Sequence, residues 1–157
     1  MSGSRCFAPP EGGGLSEPIV YIDRSRIREG CLDDLRAAIA GLVEFIDDRE
    51  PQLLYYGFFV DEKNAAMTVV AVHPDSASLE LHMKIGAAAF RTFADFIEME
   101  RIEVYGEPSD EVVAQLHTKA RGLGRAGSVV IHPRRAGFTR LDTREARGAR
   151  RSGTPSG

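Results

Sequence analysis

The sequence predicts an α+β fold, a ferredoxin-like sheet laid down in the order β-α-β-β-α-β and followed by one further helix. Three observations carry this. Two long segments place apolar residues at helical spacing, each follows a β-branched or aromatic run, and a polar tetrapeptide, Asp61-Glu62-Lys63-Asn64, joins two such runs as a hairpin. Strand, helix, hairpin, helix, strand is the split βαβ order.

The first strand is the run Ile19-Val20-Tyr21-Ile22, which gives way to charged residues from Asp23 to Arg28. Gly30 breaks the chain. A helix follows with Asp33 and Asp34 in its first turn, where negative charge suits the helix dipole. Its apolar stripe is Leu32, Leu35, Ile39, Leu42 and Ile46, and Pro51 marks the stop. The hairpin strands are Leu53–Val60 and Ala66–His73, and Pro74 closes the second. Asp75 or Ser76 can cap the next helix. Its stripe of Leu79, Met83, Gly86, Phe90, Phe93 and Ile97 steps by 4, 3, 4, 3 and 4, with Gly86 a point where the helix can bend or divide. Arg101–Gly106 reads as the fourth strand. Ser109 then caps a third helix carrying Val112, Val113, Leu116 and Ala120, which Gly122 or Gly124 ends, and Ser128–Ile131 is a short fifth strand.

Length and charge bound the rest. A chain of 157 residues with 43% hydrophobic and 27% charged residues fits one folded domain. Residues 1–17, with Pro9, Pro10 and Gly12-Gly13-Gly14, read as a disordered leader. Residues 142–157 read as a disordered basic tail, the ferredoxin-like domain as 18–107, and the helix and short strand as an extension over 108–141. From Arg134 to Arg151 there are seven arginines against Asp142 and Glu145, so this segment carries +5 and the remainder −8 of the net −3. An acidic body with a short basic tail is not the basic folded face of a nucleic-acid binder. Apolar stretches are too short to span a bilayer, and no basic segment followed by an apolar one opens the chain. With two cysteines, Cys6 and Cys31, a reducing cytoplasmic setting is expected.

The hairpin strands are apolar on both sides. Leu53, Tyr55, Gly57 and Phe59 share one face of the first, and Leu54, Tyr56, Phe58 and Val60 the other. Both faces of the sheet therefore call for cover, and two core helices can cover one. A second copy of the chain is the economical cover for the other, which predicts a homodimer. Folding of the third helix over that face within one chain is the alternative.

The segment Val70-Ala71-Val72-His73-Pro74-Asp75-Ser76-Ala77-Ser78-Leu79-Glu80-Leu81-His82, with Phe90-Arg91-Thr92-Phe93 after it, resembles the antibiotic biosynthesis monooxygenase family of dimeric α+β barrels. In that family a strand often ends in tryptophan, and a histidine follows about nine residues later on the next helix. Here His73 stands at the tryptophan position, His82 at the histidine position, and Ala87 where a second histidine is often found. The resemblance covers roughly 18–107. It implies a homodimer of ferredoxin-like units with a pocket between each sheet and its helices. Some relatives oxidise polyphenols with O₂ and no metal or cofactor, others degrade haem, and many have no known activity. The chain has no Trp, which counts against the haem-degrading branch.

Candidate chemistry centres on two of the four histidines. His82 borders the apolar stripe of its helix, and His73 ends the strand that feeds that helix. An imidazole suits deprotonation of a phenol or enol whose anion then reacts with O₂, with His82 transferring the proton and His73 assisting. Tyr21, Tyr55, Phe59, Phe90 and Phe93 are the expected ligand-binding surface. No third ligand is spaced to make the two histidines a metal site, no phosphate-binding glycine loop is present, and neither cysteine has a partnering His/Asp pair. The expected function is a cofactor-independent monooxygenase-like activity, an oxidoreductase acting on a small aromatic or polyphenolic compound. The alternative is a non-enzymatic dimeric module that binds a small ligand or serves as an interaction domain.

Overall fold

At the centre of the sheet runs β1 (Ile19–Ile27), antiparallel to β3 (Ala66–His73) on one side and to β4 (Ile97–Tyr105) on the other. The hairpin partner β2 (Tyr55–Asp61) forms one edge, and β5 (Ser128–His132) adds parallel to β4 at the other, giving the order β2-β3-β1-β4-β5. The first four strands with α1 (Leu32–Arg49) and α2 (Ser76–Thr92) make the ferredoxin-like unit expected from the sequence. The computed structural model describes residues 17–141. The expected leader, apart from Glu17, and the expected tail lie outside these residues.

Strand alternation sets which side chains face the helices. On β1 these are Ile19, Tyr21, Asp23, Ser25 and Ile27, all buried; on β3 they are Met67, Val69, Ala71 and His73. The first strand thus runs five residues past the expected end at Ile22, because its inward positions stay buried through the charged stretch while Arg24 and Arg26 point out. On β4 the register shifts between Arg24 and Ser25 of β1, which pair with Arg101 and Met99. Glu100 is the extra residue of this bulge, and it lets Ile97, Met99, Ile102 and Val104 all face the core.

The second helix is shorter than the stripe suggested. Asp75 caps it by accepting from the Ser78 amide at 2.9 Å, and it ends at Thr92 in a 3₁₀ turn over Phe93–Asp95, so Ile97 opens β4. Gly86 neither bends nor divides it. A Cβ there would lie 2.1 Å from the Phe90 ring, so the glycine makes room for Phe90 to fold back along its own helix.

The third helix, α3 (Asp110–Leu123), packs on the same face of the sheet as α1 and α2. Ser109 caps it, and the Ser109 amide donates to Ser76 Oγ at 2.8 Å, tying the starts of α2 and α3 together. At its exit Gly124 lies against β4 so closely that a Cβ would sit 2.1 Å from the Met99 carbonyl oxygen. Among the described residues, no helix lies over the opposite face of the sheet. Tyr55 (47% exposed) and Phe59 (52%) lie there beside Val20, Ile22, Val70 and Val72, with the Arg24–Glu103 ion pair at 2.5 Å. No helix among the described residues is long and apolar enough to cross a membrane.

Candidate active site

Tyr21 and Asp23, two residues apart on β1, point the same way into the space under the helices, and Lys119 of α3 comes down onto both. The Tyr21 hydroxyl donates to Asp23 Oδ2 at 2.6 Å. The Lys119 ammonium donates to the Tyr21 oxygen at 2.8 Å and to Asp23 Oδ2 at 3.2 Å, and it stands 4.2 Å from the centroid of the Phe90 ring. Tyr21 and Asp23 are buried and the Lys119 side chain is 11% exposed. Burial pushes the Tyr21 phenol well above its ordinary value, with the Asp23 charge adding to it, and pulls the Lys119 ammonium down against the opposing pull of Asp23.

These groups wall a space of about 20 Å³, large enough for one water-sized molecule. Tyr56, Phe58, His82, Phe90 and Phe93 supply the other rings of its lining, and aliphatic side chains the rest. Asp23 Oδ1 is buried and has no hydrogen-bond partner among the described residues.

A second polar group adjoins it. His82 Nδ1 lies 2.9 and 3.1 Å from the two carboxylate oxygens of Glu50, which follows the last turn of α1. With Nδ1 so engaged, Nε2 is the nitrogen left to the cavity. Burial raises Glu50 to about 7 and lowers His82 to about 3, the latter helped by the positive charge of Lys119. The imidazole is therefore neutral near pH 7. The Tyr56 ring meets His82 edge-on at 5.3 Å, and its phenol is raised by burial and by the charges of Asp23 and Glu50.

Of the residues expected from the sequence, the structure brings His82, Tyr21, Phe90 and Phe93 to this cavity. His73 stands behind His82, its ring centroid 5.2 Å away, with Nδ1 held 3.0 Å from Ser78 Oγ. It does not line the cavity, because β3 ends beneath the first turn of α2 and Ser78 fixes the ring there. Tyr55 and Phe59 point to the uncovered face, since they alternate with the inward Tyr56 and Phe58. Asp23, Lys119, Glu50 and Tyr56 are the site residues that sequence reasoning missed. Asp23 was legible as the inward position two after Tyr21, and Lys119 as the residue three after Leu116 on the buried side of α3. Among the described residues, no group of three His, Cys, Asp or Glu side chains is placed to hold a metal ion.

No protein-family model and no curated protein matches the chain. Solved structures do. MupZ from Pseudomonas fluorescens superposes with a TM-score of 0.62 at 20% identity, over 80% of this chain and 96% of its own. A conserved protein from Methanosarcina mazei Go1 gives 0.50 at 17% identity, over 56% and 90%. A putative antibiotic biosynthesis monooxygenase from Bacteroides thetaiotaomicron VPI-5482 gives 0.49 at 18% identity, over 58% and 88%. The likeness is one of fold. Several proteins described as antibiotic biosynthesis monooxygenases stand among these neighbours. The span shared with MupZ exceeds the βαββαβ unit, so part of the α3–β5 extension is shared as well.

The buried groups set a pH dependence. His73 and His82 both have folded-state values below the ordinary 6.5, chiefly through burial. On acidification below 6.5 the unfolded chain takes up these protons first, so stability falls. Glu50, raised from 4.5 to about 7, acts in the opposite sense between those values and offsets one of the two. Between pH 6 and pH 5 the two histidines outweigh the one carboxylate, so this cluster should cost on the order of 1 kcal/mol of stability per unit of acidification. Glu50→Gln removes the offset and should roughly double that slope. Urea denaturation across this range measures both slopes, and equal slopes in the two proteins would refute the assignment.

Proposed function

We propose that the protein is a cofactor-independent oxygenase that oxidises a small phenolic or polyphenolic compound whose hydroxyl reaches this cavity. The observation that carries the reading is the placement of Asp23, Lys119 and His82 together on the wall of one aromatic-rich space. Keeping Asp23 and Lys119 out of water costs free energy that an apolar core avoids, so their place beside a cavity suits a hydrogen-bond donor that arrives from outside. A substrate hydroxyl is such a donor.

The neighbouring groups suit the step that follows. Asp23 takes up the hydroxyl proton, with His82 Nε2 as the adjacent neutral acceptor, and the Lys119 ammonium stabilises the phenolate that forms. The electron-rich anion then reacts with O₂. Where a ring C–H para to the hydroxyl becomes a quinone carbonyl, one oxygen atom enters the product and the other leaves as water. Both hydrogens of that water come from the substrate, so the balance requires no external reductant. The cluster of ionisable groups in one dry site favours this reading over a passive ligand-binding module.

Oxygen uptake with a panel of hydroxylated aromatics tests it. Asp23→Asn and His82→Ala should each lower the rate by roughly 10²–10⁴-fold while leaving the protein folded. If no member of the panel supports uptake and several only bind, the binding-module reading replaces this one.

The same reading includes a second copy of the chain on the uncovered sheet face. Its support is the apolar surface of Tyr55, Phe59, Val20, Ile22, Val70 and Val72, which no helix covers. A sheet-to-sheet dimer should bury more than about 1,000 Å² in total. Light scattering should give a dimer mass at tens of micromolar, and Phe59→Arg a monomer. A monomer for the unaltered protein contradicts it.

A further inference from the structure

The space beside Asp23 has room for a water-sized molecule and no aromatic ring, so the body of any substrate must lie elsewhere. Directly outside it, between α2 and α3, runs a groove of about 440 Å³, within the range of small-molecule sites. It exists because facing positions are small: Ala87 on α2, Ala114 and Gly122 on α3. A Cβ added at Gly122 would meet nothing within 4 Å. Phe90, Lys119 and Leu123 line both the groove and the inner cavity, so a partition one side chain thick separates them.

At Gly122 and Leu123 the groove meets a mainly polar recess of about 370 Å³, walled by Arg28, Arg121 and Arg125. The acid on that wall is Glu98, and Arg26 already holds it at 2.6 Å. The recess is therefore an unmatched cluster of positive charge at one end of a largely apolar channel. In the groove itself Lys84 has Glu80 at 2.5 Å, Lys119 has Asp23, and the remaining lining charges, Arg91 and Glu111, are one of each sign. The excess charge is thus confined to the recess.

We propose that groove and recess together bind an elongated organic anion. Its apolar body lies between α2 and α3 against Ala87, Phe90 and Ala114, and its carboxylate or phosphate end lies on Arg121 and Arg125. The far end abuts the Phe90–Lys119 partition. Resting on the reading proposed above, that end carries the hydroxyl which reaches Asp23 when the partition opens.

Binding can be read without turnover. N-phenyl-1-naphthylamine, an uncharged dye that brightens in apolar sites, reports the groove, and dodecanoate, dodecyl phosphate and dodecanol compete for it. Either anion should displace the dye at concentrations about tenfold below those of dodecanol, the advantage of a charge-assisted bond to arginine. Whichever of the two displaces better identifies the carboxylate or the phosphate end. Arg121→Ala/Arg125→Ala should erase the preference while dye binding persists. Ala114→Phe, at an exposed position, should fill the groove and abolish dye binding with the circular dichroism spectrum unchanged, and Ala87→Phe does the same from the opposite wall. Dye binding that survives both fillings, or equal displacement by all three competitors, overturns the proposal. If the oxygenase reading alone fails, these binding results stand; if the groove alone is misassigned, Ala114→Phe leaves oxygen uptake intact.

Discussion

Holding the Lys119 ammonium against Asp23 and Tyr21 beneath three helices is the constraint around which the rest of the structure is arranged. Taking an ammonium and a carboxylate out of water costs several kcal/mol per ion, and their mutual attraction returns it only with close geometry and further hydrogen bonds. Here the geometry comes from two rigid elements. The central strand sets Tyr21 and Asp23 on one face, and α3 is fixed at its start by Ser76 and at its end by the contact of Gly124 with Met99. Phe90 reaches its place beneath the ammonium because Gly86 leaves room for its ring.

A buried ion pair is weak evidence for stability, and an apolar core of the same volume usually does as well. The cluster is better understood as a stored chemical capacity. The cavity sets a carboxylate, a cation and a neutral imidazole within one aromatic-rich space. Lys119 also lowers His82 across the cavity, so the Asp23 and Glu50 clusters act on each other. The uncovered sheet face has a different chemistry, apolar residues interspersed with the Arg24–Glu103 and Arg26–Glu98 pairs, and suits another protein surface better than a small ligand.

The order of elements was legible because each rested on a local signal: period-2 or period-3.6 runs, the Asp61–Asn64 turn, the Asp75 and Ser109 caps. What was not legible depended on pairing. Charge at Asp23 looked like the end of a strand, since a lone carboxylate is rarely buried and the lysine that balances it lies 96 residues away. The bulge at Glu100 breaks the alternation of β4, and Ile97 fits a helical step of four as well as a strand position. His82 was found because it borders an apolar stripe. Its partner Glu50 was hidden beside Pro51, where it read as part of a helix stop. Tyr55 and Phe59 were assigned to the pocket because a strand apolar on both sides does not declare which side the helices cover.

The most direct test is chemical denaturation of the triple variant Tyr21→Phe/Asp23→Leu/Lys119→Met, set beside its oxygen uptake. Replacing the whole cluster by apolar groups of similar volume leaves no charge or hydroxyl stranded. The account predicts stability equal to or above that of the unaltered protein, by up to about 4 kcal/mol, with turnover and its dependence on hydroxylated substrates lost. A loss of more than about 3 kcal/mol, the scale of a broken buried pair, would mean that Asp23, Tyr21 and Lys119 hold the fold together, and it would contradict the assignment of the cluster to chemistry.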